Sequence, residues 1–382
     1  MMVHSKIPGM RLTDLLAGFP LTDPVPAIEI HNIASNSAEV TPGSAFIALP
    51  GMRSNGIDYA IDAAKAGAVA VIFDAADEYS LKRIPLLRKQ VNLAWIGVGD
   101  LERANGHIVS RFFGDPGRAM TIIGITGTDG KTSVTHLVVQ ALTRVGKRCA
   151  SIGTLGYGIA NELTPDQLTT PDSVSLQTRL YQFQQQRCDY VVMEVSSHAL
   201  QQYRVNGCDF DIAVLTNLGR DHLDYHGSQE SYAAAKARLF EDFELSGRVV
   251  NADDSFGRQL ASGLERDSLI RYSVNARDEP GAEVRLESCE MTLNGQNLRV
   301  ATPRGSITAV TALIGRFNVE NTLACIATLV ALGLDRNQLE LAVKDLHSIP
   351  GRMEKFAGEA GMPTVVIDFA HTEQALRACL EA

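Results

Sequence analysis

The sequence predicts an α/β protein with a small N-terminal α/β module and a central, mainly parallel sheet carrying helices on both faces. A third unit is represented only by its first strand and helix. Three observations carry this reading. Short β-branched runs alternate with helical patterns between residues 121 and 250, which implies crossover connections and a sheet covered by helices. FGDPGRAM at 113–120 is a turn-rich break before that region, and HSIPGRM at 347–353 is a second one after it.

In chain order, the N-terminal module begins with the short apolar strands AIEI, SAFIAL and AVAVIF between turn-rich pieces, with one helical pattern, IDAAKAGA. TIIGIT (121–126) suits a buried parallel strand. Helix 131–146, strands 189–195 and 211–216, helix 229–242 and strand 248–250 follow. Residues 285–312 are polar and strand-like, and NVENTLACIATLVAL (318–332) is an apolar helix suited to packing on the sheet. After the second break come one strand, TVVIDF, and one helix beginning near Thr372. A lone strand and helix cannot bury their own faces, so the chain is expected to stop just inside a third domain.

A chain of 382 residues is long enough for two or three domains. Its net charge of -9 opposes general nucleic-acid binding, because phosphate neutralisation requires a basic surface. The six cysteines lack CxxC spacing, so buried reduced thiols are expected rather than a metal knuckle or disulfide frame. The N-terminus has no apolar leader and no segment reaches membrane-spanning length, so a cytoplasmic protein without membrane contact is expected.

GITGTDGKTS (124–133) follows a strand and opens a helix, the context a phosphate-binding loop requires. Gly127 and Gly130 let backbone N–H groups approach oxygen atoms. Lys131 can reach terminal phosphates, and the Thr132 hydroxyl can join a Mg²⁺ shell. The longer pattern G-x-x-x-x-G-K-[ST] is not met, because Ile125 stands at its first glycine. Asp129 would repel phosphate, so it is expected to bond loop N–H groups as an Asx-type turn, or to face a metal or water.

Ligands of open α/β sheets bind beyond the carboxyl ends of the strands. MEVSSHAL places Glu194 at one such end, and TNLGRDHLDYHG places Asp221 and His222 after the next. With Thr132, Glu194 and His222 would make a hard site suited to Mg²⁺ rather than zinc; alternatively, both side chains cap local turns. Spacing alone leaves Lys236, in SYAAAKARLF, as a solvated surface lysine. His198, Tyr225 and His226 receive no role.

Together, GTDGKTS, LTTPDS, MEVSSHALQQYR, TNLGRDHLDYHG, SYAAAKARLF, GRFNVEN, PGRME and DFAHT resemble the Mur ligase family. The resemblance is nearest to its MurE type, which adds the third residue of the peptidoglycan stem peptide, and covers about residues 28–382. It implies an ATP-dependent amide ligase acting through an acyl phosphate on UDP-N-acetylmuramoyl-L-alanyl-D-glutamate and an amino acid, diaminopimelate or lysine. It also implies domains at 1–117 (UDP-precursor binding), 118–349 (ATP binding) and 350–382 (the start of a Rossmann-like C-terminal ligase domain). A monomer is expected.

By the same resemblance, Gly127, Thr128, Asp129, Gly130, Lys131, Thr132 and Ser133 would hold ATP. Asn318 would approach adenine, and Arg352 and Asp368 would contact phosphate and ribose. Thr132, Glu194, His222 and Lys236 would hold Mg²⁺, Lys236 as a carbamate formed with CO₂. Lys131, Lys236, His222 and Arg352 would serve catalysis. Thr169, Thr170, Ser196, Gln202 and Arg204 would grip the muramoyl peptide, and Ser37 would lie on the uridine side.

The chain departs from the family pattern at Asp129, where most members carry Asn, and at Asn36-Ser37-Ala38, where the family more often reads Asp-Ser-Arg. A competing expectation is a two-domain protein or fragment that binds UDP-muramoyl peptide and ATP without completing ligation. A folylpolyglutamate-synthase relative is disfavoured by the more than 110 residues before the loop.

Overall fold

The computed structural model of the chain describes residues 9–51, 54–160, 162–275, 277–356, 363–371 and 373–382. Its contacts divide it into two units: one of residues 1–118, 171–182 and 201–208, the other of residues 119–170, 183–200 and 209–382.

The first unit is built on a four-stranded parallel sheet in the order Asn32–Ala34, Ser44–Ala48, Ala68–Asp74 and Ala94–Val98. SAFIAL and AVAVIF form its middle strands, as their continuous apolar character predicts. AIEI does not join it. Glu29–Ile30 instead pairs antiparallel with Met10–Arg11, and the sheet takes its edge strand from the next residues. Helix Leu101–Phe112, absent from the sequence reading, buries Ala104, Ile108 and Phe112 at four-residue spacing, which puts them on one face.

The second unit holds the central sheet. Its spatial order among the described residues is Glu162–Thr164, Gly156–Ile159, Cys149–Gly153, Tyr190–Glu194, Thr121–Thr126, Phe210–Leu215, Gly247–Asn251, Leu269–Ser273, Val284–Thr292, Gly295–Ala301, Ile307–Thr311. From Cys149–Gly153 to Val284–Thr292 every neighbouring pair is parallel; both margins are antiparallel. The expected parallel sheet is present, extended by a hairpin at 156–164 that the sequence reading lacked.

Side-chain alternation along Thr121–Thr126 assigns the two faces. Ile123 and Ile125 enter a core with Val134, Leu137 and Val138 of helix Lys131–Arg144 and Leu323, Ile326 and Ala327 of helix Phe317–Ala331. Each buried isoleucine, valine or leucine among them contributes about 1.5–3 kcal/mol. Gly124 lies between them in the strand and faces the other way. A Cβ there would meet Leu239 of helix Gln229–Glu241 at 3.2 Å, which puts that helix on the opposite face.

TVVIDF supplies strand Val365–Ile367. It is not solitary: it pairs antiparallel with Glu354–Phe356, and Val365, Val366 and Ile367 remain exposed. Helix Glu373–Leu380 follows, while Thr372, the expected helix start, lies outside the described residues.

Candidate functional site

Strand Thr121–Thr126 ends in the loop 127–130, and Gly130 caps helix Lys131–Arg144 with φ 84°. Gly127 has φ 149°, and a Cβ there would sit 1.8 Å from Thr216 Oγ1, so both backbone and space demand glycine. The neighbouring strand end braces the loop. Thr216 donates its hydroxyl to the Asp129 carbonyl (2.6 Å), Asn217 Nδ2 donates to the same oxygen (3.2 Å), and Asn217 Oδ1 accepts from Asp129 N–H (2.9 Å). The Thr128 hydroxyl accepts from Gly219 N–H at 2.8 Å and meets Tyr232 Oη at 3.1 Å.

The expected Asx-type role of Asp129 is therefore corrected. Among the described residues its carboxylate accepts no hydrogen bond, and the brace runs through its main chain to Thr216 and Asn217. Those two residues already bond the loop backbone, which leaves the half-buried carboxylate as free negative charge beside two lysines.

Lys131 Nζ donates to the carbonyls of Gly127 (2.9 Å) and Thr128 (2.8 Å). Burial lowers its pKa, opposed by the charges of Glu194, Asp129 and Asp221. Lys236 is 1% exposed, so the surface-lysine reading fails. Its Nζ donates to the same Gly127 carbonyl at 2.8 Å and lies 4.5 Å from the centre of the Tyr232 ring. Burial first, and the Lys131 charge second, hold its pKa well below that of a free lysine.

Glu194 is fully buried at the end of its strand. Its Oε2 accepts from the Thr132 hydroxyl at 2.9 Å and the Thr154 hydroxyl at 3.1 Å, and its Oε1 accepts from Thr154 N–H at 2.8 Å. Arg352 reaches the same threonine, with Nη2 3.4 Å from Thr132 Oγ1. The loop, Glu194 and Arg352 are thus one cluster. Asp368 supports it from behind, accepting from Met353 N–H (2.8 Å) and Ala370 N–H (2.7 Å). Asn318 is buried at the start of its helix, where it donates to the Ile314 carbonyl and accepts from Asn321 Nδ2.

His222 sits in the left-handed region with φ 53° as the N-cap of Leu223–His226. Its ring packs edge-on against His198 (4.7 Å between centroids) and Tyr232 (6.3 Å), and its Nε2 lies 3.4 Å from Asp221 Oδ2. Among the described residues no hydrogen bond joins His222 or Lys236 to Glu194, and no three His, Cys, Asp or Glu side chains converge on a metal position. The oxygen donors of Thr132 and Glu194 still fit a hard divalent cation that takes most of its ligands from phosphate and water.

Thr170 donates its hydroxyl to the Glu194 carbonyl (2.8 Å) and accepts from Ser196 N–H (3.0 Å). Thr169 Oγ1 lies 3.1 Å from Thr154 Oγ1. Ser196, Thr169 and Thr170 thus adjoin Glu194 in the second unit. Gln202 and Arg204, bonded to each other at 2.8 Å, and Ser37, which opens a short 3₁₀ turn capped by Asn36, belong to the first unit. Sequence reasoning missed Thr154, Thr216, Asn217 and Tyr232. The phrase TNLG contains two of them immediately after a strand, a signal that could have been used.

Comparison with known proteins agrees with this geometry. Residues 125–329 match the Mur ligase middle domain, and residues 29–112 match the model described as Mur ligase family, catalytic domain. The chain is 41% identical over 355 residues to a UDP-N-acetylmuramoyl-L-alanyl-D-glutamate--2,6-diaminopimelate ligase of Chromobacterium violaceum, covering 92% of this chain and 70% of that one. Its identity to the ligase of the same name from Alkalilimnicola ehrlichii is 42% over 379 residues, covering 98% and 75%. A solved structure of a ligase with that name superposes with a TM-score of 0.81 at 30% identity, over 98% of this chain and 74% of the other.

Proposed function

The chain belongs to the Mur ligase family, and from that premise we propose that it is an ATP-dependent acid–amino acid ligase of peptidoglycan synthesis. Its substrates are UDP-N-acetylmuramoyl-L-alanyl-D-glutamate and an amino acid. The shared name of the relatives favours diaminopimelate over lysine. The observation that carries the reading is the convergence on one loop of Lys131, Lys236, the Thr132–Glu194 pair and Arg352.

In this reading a substrate carboxylate oxygen attacks the γ-phosphorus of ATP and ADP departs. The incoming amine then attacks the acyl carbon and expels phosphate. Activation makes a poor electrophile reactive, so the protein's task is positioning and charge neutralisation. Backbone N–H groups from Gly127 to Ser133 and the Lys131 ammonium hold phosphate oxygens. Arg352 adds a second cation at the same end of the loop, and Asn318 and Asp368 complete the nucleotide contacts. Thr132, Glu194 and His222 would hold Mg²⁺, which supplies Lewis-acid neutralisation of phosphate charge.

Burial favours the neutral amine of Lys236. A neutral amine adds to CO₂, releasing one proton, and the resulting carbamate replaces a cation with a carboxylate-like group. In this reading Thr169, Thr170 and Ser196 serve the muramoyl peptide, and the same role is assigned to Ser37, Gln202 and Arg204. The domain assignment that accompanies this reading is 1–117 for the UDP precursor, 118–349 for ATP and 350–382 for the start of the C-terminal ligase domain. A monomer working in the cytoplasm fits it; among the described residues no helix is long and apolar enough to cross a membrane.

Phosphate release measured with ATP, UDP-N-acetylmuramoyl-L-alanyl-D-glutamate and diaminopimelate or lysine tests the proposal. Turnover dependent on all three substrates is expected, fastest with diaminopimelate. Retained precursor binding without turnover would overturn it in favour of a binding protein.

A further inference from the structure

Thr154 stands outside every motif that points to ligase chemistry, yet among the described residues it makes two of the three hydrogen bonds that the Glu194 carboxylate accepts. The preceding residue explains how it comes so close. A Cβ on Gly153 would lie 2.2 Å from Glu194 Oε1, so any larger residue there would displace that carboxylate. Thr154 is itself exposed, and its hydroxyl lies 3.1 Å from that of Thr169.

Proton counting gives this chain of hydroxyls a direction. A threonine hydroxyl has one proton to donate. Thr154 gives its proton to Glu194 Oε2, a charged acceptor that makes the stronger bond. The Thr154–Thr169 contact must then be donated by Thr169. With its only proton turned inward, Thr169 can offer nothing but lone pairs to a ligand.

We propose that Thr154 is a positioning residue whose hydroxyl relay, Thr169 to Thr154 to Glu194, holds Thr169 as an acceptor for an N–H or O–H donor of the muramoyl substrate. The inference rests on the ligase reading and adds a polarity to one of its substrate contacts. A phosphate or carboxylate oxygen is refused at this point, because facing one would require Thr169 to withdraw its proton from the relay. The relay also links substrate occupancy to the orientation of Glu194, whose other partner is Thr132 on the phosphate loop.

The test compares Thr154→Val, Thr154→Ala and Thr154→Ser, together with Thr169→Val and the double variant Thr154→Val/Thr169→Val. Calorimetry measures the Kd for the UDP-muramoyl dipeptide without nucleotide or metal, and kinetics measure KM for both ATP and the dipeptide. Thr154→Val and Thr154→Ala are expected to weaken dipeptide binding about fivefold to tenfold, the scale of one hydrogen bond. Thr154→Ser should stay within about twofold of the unaltered chain, because one hydroxyl suffices for the relay.

The double variant should bind no more weakly than Thr169→Val alone, since both changes break one relay. Unchanged dipeptide affinity in Thr154→Val, or additive losses in the double variant, would overturn the relay. Absence of dipeptide binding by the unaltered chain would instead overturn the ligase reading beneath it.

Discussion

Lys236 donates to the Gly127 carbonyl at 2.8 Å from a side chain that is 1% exposed, and Lys131 donates to the same oxygen at 2.9 Å. Burial lowers the pKa values of both, and the Lys131 charge depresses that of Lys236 further. A lysine in this state is predisposed to carbamate formation. Lys236→Ala is therefore expected to abolish ligation, a loss of at least about 1,000-fold on the scale of lost transition-state charge stabilisation. Bicarbonate should stimulate a CO₂-depleted preparation only when Lys236 is present; normal turnover by Lys236→Ala would refute the carbamate.

Gly127→Ala should damage the loop itself. The added Cβ meets Thr216 Oγ1 at 1.8 Å, and φ 149° is unsuited to any side chain. Thr216 would have to abandon the Asp129 carbonyl, so a stability loss of roughly 1–3 kcal/mol is expected, with loss of ATP affinity. Urea unfolding and ATP calorimetry measure the two effects; wild-type values in both would contradict the bracing role given to Thr216.

The loop was legible in the sequence because its chemistry is local: strand, glycines, lysine, threonine and helix follow within thirteen residues, 121–133. Lys236 was legible only through the family resemblance, although its spacing carried a physical signal. Tyr232, Lys236, Leu239 and Phe240 stand at i, i+4, i+7 and i+8, so the lysine lies on the stripe by which its helix is buried. Thr154 gave no such signal. Its partner Glu194 is forty residues away, and their approach depends on two parallel strands becoming neighbours. The hairpin at 156–164 was hidden by its glycine-rich, non-alternating sequence, and its pairing with Cys149–Gly153 supplies the stability its own residues lack.

His136, on helix Lys131–Arg144, predicts a pH dependence of stability. Burial lowers its pKa from 6.5 to about 4, so the folded chain keeps it neutral where the unfolded chain protonates it. Its contribution is fully present above pH 6.5 and is lost as pH falls from there towards 4. Between pH 7.5 and 4.5 this one group should cost roughly 2–3 kcal/mol. His136→Leu should flatten that part of the profile, read as the difference in urea midpoint between the two pH values. An equally steep decline in the variant would show that other groups carry it.

Asp129 predicts a gain of function. Its N–H and carbonyl are held by Asn217 and Thr216, while its carboxylate has no hydrogen bond among the described residues. Asp129→Asn leaves those backbone bonds intact and removes one negative charge from the end of the loop that receives phosphate. The charge has an opposing effect as well, since it favours the protonated forms of Lys131 and Lys236. Phosphate carries more charge than either lysine and meets this loop end directly, so repulsion should dominate. At a partly hydrated distance of a few ångströms the term is about 1 kcal/mol, which corresponds to about fivefold tighter ATP binding. The gain should be largest near 0.01 M salt and should shrink towards 1 M as the screening length falls from about 30 Å to about 3 Å. Calorimetric titration with ATP at three ionic strengths separates the alternatives. A weaker affinity in Asp129→Asn at low salt would show that the carboxylate acts mainly by keeping the lysines charged.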